Sequence, residues 1–117
     1  ALVLDARPEA RFRGKAPEPR AGLRSGHMPG ARSLPHTRLL QENGALKDAA
    51  SMEAAFTECG ASAGRPVIAS CGSGVTAAVL CLALESLGRR DYALYDGSWA
   101  EWGLVSNDPA RFPIAID

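Results

Sequence analysis

Apolar and polar positions follow two different rhythms along the chain. Residues 1–7, ALVLDAR, form a nearly continuous apolar run that stops at Asp5, as a parallel strand buried on both faces does where it reaches solvent. RPVIAS at 65–70 repeats that form, YALY at 92–95 is the next strand, and ARSLP at 31–35 is a shorter strand candidate. Elsewhere the period is helical. Met52, Ala55, Phe56 and Cys59 share one face, with Gly60 placed to stop the helix. Val75, Val79, Leu80, Leu82, Leu84 and Leu87 predict a second helix with a broad apolar face, ended by Gly88. HTRLL at 36–40 suits one or two helical turns, and DGSWAEWG at 96–103 a turn and a short helix.

Strands alternating with helices predict an α/β fold, a small, mostly parallel sheet with helices on both faces. Ligands in such sheets bind beyond the carboxyl ends of the strands, where Cys71 follows RPVIAS. The stretch from 8 to 31 holds four prolines and four glycines and reads as a long irregular connection of the kind that carries function.

A chain of 117 residues with 46% hydrophobic and 22% charged positions suits one domain with a real core. Thirteen basic and thirteen acidic residues cancel, which removes any overall electrostatic reason to expect nucleic acid or an anionic membrane. No apolar stretch reaches the roughly 20 residues that span a bilayer, and no signal segment opens the chain. A soluble, cytoplasmic protein is the expectation. Cys59, Cys71 and Cys81 lack the pattern of a disulfide framework and read as free thiols. Arg7, Arg11, Arg13, Lys15, Arg20, Arg24 and Arg32 crowd the first third, which suits either a solvated face or an anion site.

Cys71 opens CGSGVTA, residues 71–77. If a helix starts near Val75, the N–H groups of Gly72 through Thr76 lack intrahelical partners, and the two glycines let the chain curl so that they converge. Such an anion nest at the positive end of a helix dipole lowers a cysteine pKa from about 8.5 into the range of roughly 3.5 to 7.5. Cys71 would then be a nucleophile at neutral pH. An inert core cysteine has no need of Gly-Ser-Gly after it. GSGVTA also satisfies a dinucleotide-binding pattern, but it comes late in a short chain. A cysteine phosphatase needs arginine six positions after the nucleophile, where Ala77 stands, and no Gly-Lys-Ser/Thr makes a phosphate loop. A metal site is disfavoured, since Cys59, Cys71, Cys81, His27 and His36 include no C-x-x-C pair.

CGSGVTA resembles the active loop of 3-mercaptopyruvate sulfurtransferases in the rhodanese superfamily. LDAR at 4–7, RFRGKAPEPRAG at 11–22, GHMPGA at 26–31 and YDGSWAEW at 95–102 match further family segments in order. Thiosulfate sulfurtransferases typically carry Arg and Lys where this chain has Gly72 and Ser73, and Leu23 and Met28 depart from the usual aromatic and branched aliphatic residues. The resemblance implies a rhodanese-like fold of about five strands, with 1–117 as one catalytic domain, the C-terminal half of a two-domain protein whose N-terminal rhodanese domain lies outside this chain. It implies a Cys71 persulfide and no cofactor, with 3-mercaptopyruvate or thiosulfate as donor and thioredoxin, small thiols or cyanide as acceptor. Ser73 matches the catalytic serine, Arg11 and Arg20 the substrate-binding arginines, and the Gly72, Gly74, Val75 and Thr76 backbone the anion cradle, with Thr76 a cap or a brace for the loop. His27 matches a turn-fixing position more than a base; Trp99 and Trp102 read as packing and a pocket wall, and Asp5 as a partner for Arg7 or loop amides. Arg13 and Lys15 are expected in solvent, Cys59 and Cys81 in the core. A thiosulfate:cyanide sulfurtransferase is the alternative enzyme. A non-catalytic rhodanese-like interaction module is the other, although such modules commonly lose the cysteine that is present here.

Overall fold

Strand β1, Leu2–Asp5, realises the first apolar run, and the edge strand β2, Arg32–Ser33, pairs with it in parallel. The computed structural model describes residues 1–19, 21–62, 64–71, 76–95 and 97–116. Strands β3, Val67–Ser70, and β4, Tyr92–Leu94, complete a parallel sheet of order β2-β1-β3-β4. Four strands form among the described residues, not about five. The remaining extended backbone meets only in single antiparallel bridges at Leu23 with Leu104, His27 with Ala115 and Leu40 with Leu46, because glycines and prolines interrupt these stretches before a ladder can grow.

Helix α2, Ala49–Glu58, starts a turn before its apolar face does. Asp48 caps it, its carboxylate accepting from the Ser51 N–H at 3.3 Å and the Ser51 hydroxyl at 2.6 Å. Those bonds favour the carboxylate and pull the Asp48 pKa below its ordinary 3.8. Gly60 ends the helix region with a φ of 85°, which only glycine adopts at little cost. Helix α3, Ala77–Ser86, buries Ala77, Leu80, Ala83 and Leu84. Leu82, expected on that face, is 58% exposed, because a 100° step per residue carries it to the side opposite Leu80 and Leu84. A 3₁₀ turn spans His36–Leu39, and the connection expected to be irregular holds a short helix α1, Glu9–Phe12. Helix α4, Ser98–Trp102, follows β4.

The two faces of the sheet are covered unequally. Leu2, Leu4, Val67 and Ala69 pack with α2, α3 and Leu34 and Leu39 in the main core. On the other face Phe12, Met28, Ala31 and Trp99 form a smaller cluster with Val3, Leu23, Tyr95 and Trp102 around it. The 8–31 connection is thereby laid over the second face, beside α4.

Candidate active site at the end of strand β3

The strand order reverses between β1 and β3: the chain leaves β1 toward β2 on one side and leaves β3 toward β4 on the other. Asp5 and Ser70 end these two strands in register. The crevice beyond such a reversal is where parallel sheets bind ligands, and Cys71 is the next residue. It is buried, at 1% exposure.

Both peptide groups flanking the Cys71 Cα are held by consecutive residues at the start of α4. The Cys71 N–H donates to Ser98 Oγ at 3.1 Å, and the Trp99 N–H donates to the Cys71 carbonyl at 2.8 Å. Ser98 Oγ also donates to the Tyr95 carbonyl at 2.7 Å, and the Tyr95 N–H in turn donates to the Ala69 carbonyl at 2.9 Å. Ser98 has a φ of 50°, a left-handed conformation that costs a non-glycine residue about 1–2 kcal/mol. Two hydrogen bonds of roughly 0.5–1.5 kcal/mol each are of the size needed to offset it. Sequence reasoning passed over Ser98. Its only signal was a small polar residue in the first turn after a parallel strand.

Behind Trp99 lies a buried charge network. Arg7 clamps Asp5 through Nε and Nη2, with Nη2 to Oδ2 at 2.8 Å, and also donates to the Gly26 carbonyl at 2.6 Å. The Arg7 guanidinium sits 4.4 Å from the Trp99 ring centroid, close enough for a cation–π contact. Glu18 accepts from Arg7 Nη1 at 3.1 Å and from Arg11 Nη2 and Nε at 3.1 and 3.3 Å. The expected anchoring of Arg7 by Asp5 is present, and Arg11 is tied through Glu18, Arg7 and Trp99 to the backbone of Cys71. Two arginines and two carboxylates balance, and Arg11, bound to Glu18 through Nε and Nη2, is the part-exposed member at 22%.

Other cations of the crowded first third have plainer roles. Arg13 pairs with Glu9 and is exposed, Lys15 is exposed, and Arg24 donates to the Trp102 and Phe112 carbonyls. His27 is a structural residue: its ring stacks on Phe12 at 3.7 Å, its Nδ1 lies 2.7 Å from the Phe12 carbonyl, and its backbone pairs with Ala115. Trp99 and Trp102 pack in or against the smaller cluster. Thr76 is half-buried with helical φ and ψ and makes no capping bond; an N-cap needs an extended backbone to turn its side chain onto the first N–H groups. Ser73, Arg20, Gly72, Gly74 and Val75, together with Asp96, lie outside the described residues. Cys59 is in the main core and Cys81 at its margin, and burial raises both thiols above the ordinary 9.0. Among the described residues no three His, Cys, Asp or Glu side chains gather as a metal site, and no helix is long and apolar enough to cross a membrane.

A family model described as a Rhodanese-like domain matches residues 1–104. The 3-mercaptopyruvate sulfurtransferase of Escherichia coli is 50% identical over 111 residues, 95% of this chain and 39% of that protein. Thiosulfate/3-mercaptopyruvate sulfurtransferase 1 of Arabidopsis thaliana is 46% identical over 106 residues, 91% of this chain and 28% of that protein. The crystal structure of SseA from Escherichia coli, described as a 3-mercaptopyruvate sulfotransferase, superposes with a TM-score of 0.70 at 48% identity, covering 85% of this chain and 36% of that one. The chain thus spans well under half the length of the relatives it matches.

Proposed function

The chain belongs to the rhodanese-like domain family, and we propose that it is the catalytic domain of a 3-mercaptopyruvate sulfurtransferase, working beside an N-terminal domain in a cytoplasmic enzyme. The observation that carries this reading is Cys71: a cysteine at the reversal point of a parallel sheet, with both its peptide groups fixed by α4.

In the proposed cycle the Cys71 thiolate attacks the sulfur of 3-mercaptopyruvate. An S–S bond forms, and the C–S bond breaks with its electron pair going to carbon. The resulting enolate takes a proton and leaves as pyruvate. Thioredoxin, a small thiol or cyanide then attacks the outer sulfur, and the S–S electron pair returns to Cys71. Arg11 and Arg20 hold the donor carboxylate, for which the guanidinium fork is the best geometric match. Ser73 polarises the carbonyl or passes the proton, and the backbone of Gly72, Gly74, Val75 and Thr76 cradles the persulfide anion. The persulfide is the only carrier required, without a cofactor.

Thiosulfate is the second donor to consider, since one relative's name couples both donors. Gly72 and Ser73 bring no cation for its sulfonate, which makes it the poorer substrate. Intact mass after incubation with each donor, with Cys71→Ser as control, tests the reading. A gain of one sulfur atom on Cys71, larger from 3-mercaptopyruvate, is expected; no gain from either donor overturns it.

A further inference from the structure

We propose that Ser98 is the positioning residue of Cys71: its hydroxyl, held in a left-handed backbone, sets the direction in which the nucleophile leaves the end of β3. The proposal rests on Cys71 being the sulfur carrier and adds a residue from a different part of the chain to its machinery.

The N–H of Cys71 belongs to the peptide group before its Cα and the C=O to the one after. Fixing both leaves the Cα–Cβ bond one direction, and only χ1 remains to place the sulfur. Ser98 Oγ holds the first group at 3.1 Å and the Trp99 N–H holds the second at 2.8 Å. The same hydroxyl donates to the Tyr95 carbonyl at 2.7 Å, so it is oriented by the end of β4 and offers its lone pair to Cys71. With Ser98 at 0% exposure and its hydroxyl engaged on both sides, the side chain has no path to substrate. It acts through Cys71.

The backbone argues for a requirement in the same direction. A φ of 50° suits glycine, so serine here retains strain that the smaller residue would release. Retained strain beside a reactive group marks a residue held for its side chain. Trp99 cannot substitute, because its own bond fixes only the carbonyl side of Cys71. The charge network behind Trp99 meets its indole ring and so bears on the carbonyl side of Cys71, whereas Ser98 holds the N–H side.

Two variants separate positioning from stability. Ser98→Gly removes the hydroxyl and relieves the backbone, while Ser98→Ala removes the hydroxyl and keeps the strain. Both are measured for pyruvate release from 3-mercaptopyruvate, for the pH profile of Cys71 alkylation, and for thermal unfolding. Both should lower kcat about ten- to a hundred-fold with little change in KM, the size expected of a displaced nucleophile. Both should move the alkylation profile to higher pH, with Ser98→Gly melting closer to the parent than Ser98→Ala. Parent-like kcat and alkylation with a lowered melting temperature in either variant would make Ser98 merely structural and overturn the proposal. If the parent gains no sulfur, the sulfurtransferase reading fails, and the alkylation profiles alone still decide for or against Ser98 as the residue that positions Cys71.

Discussion

Cys71 and Cys59 are both buried, at 1% and 5% exposure, yet their surroundings do opposite things. Cys59 occupies the C-cap of α2, at the negative end of a helix dipole, where a thiolate is disfavoured. Its Sγ donates to the Ser33 carbonyl at 3.3 Å, and burial raises its pKa above 9.0 against the smaller opposing pull of Arg38 and Arg32. Cys71 instead follows the last residue of β3 and precedes α3 in the chain, and α4 grips its backbone. Burial depth alone does not separate the two thiols, one of which is the proposed sulfur carrier. The difference on the page is that Cys59 sits at the carboxyl end of a helix, whereas α4 holds Cys71 from both sides of its Cα.

Exchanging the two cysteines' fates is the most severe way to break this contrast. Cys71→Ser should abolish sulfur loading and pyruvate release, whereas Cys59→Ala should leave both within about twofold, since it touches only packing and the Sγ bond to Ser33. Next in size is a pair of equal core truncations. Trp99→Ala and Phe56→Ala each empty a fully buried site and should each cost about 3–5 kcal/mol in denaturant unfolding. Only Trp99→Ala, which removes the ring between Arg7 and the Cys71 anchor, should also slow Cys71 alkylation in the folded chain. Equal slowing in both would dissolve the distinction between the two clusters. The smallest effect is a pH one. Burial holds the Cys59 and Cys81 thiols above their ordinary pKa in the folded chain, so their contribution to stability is fully present below the unfolded value. It fades as pH rises through their folded pKa values, because the unfolded chain releases its thiol protons first. Mass-resolved alkylation from neutral to alkaline pH should therefore label Cys71 before the other two.

Much of this was legible in the sequence. β1 and β3 were readable because buried parallel strands are apolar throughout, the exposed edge strand β4 because its short apolar run is rich in tyrosine, and α2 because Met52, Ala55, Phe56 and Cys59 fall on one stripe. The face of α3 was read too broadly: with Leu or Val at most positions, periodicity carries little contrast, and Leu82 was assigned inward. Helix α1 was missed because prolines and glycines flank it closely, though Pro8 is a tolerated neighbour of a helix start. Asp5 with Arg7 was visible as two charges at a strand end. Glu18 and Ser98 were not. Each acts on residues distant in sequence, and no local pattern encodes a bond from Ser98 to Cys71.

The clasp of α4 on Cys71 also sets an order in time. A ribosome releases the chain from its N-terminus, so Cys71 is out before Ser98 and Trp99 are free to hold it. Pairing of β3 with β1 joins segments from opposite halves of the chain, and it too must precede a formed crevice. Cys71 therefore stays unclasped until residues 98 and 99 have followed it out, and the clasp closes late in folding.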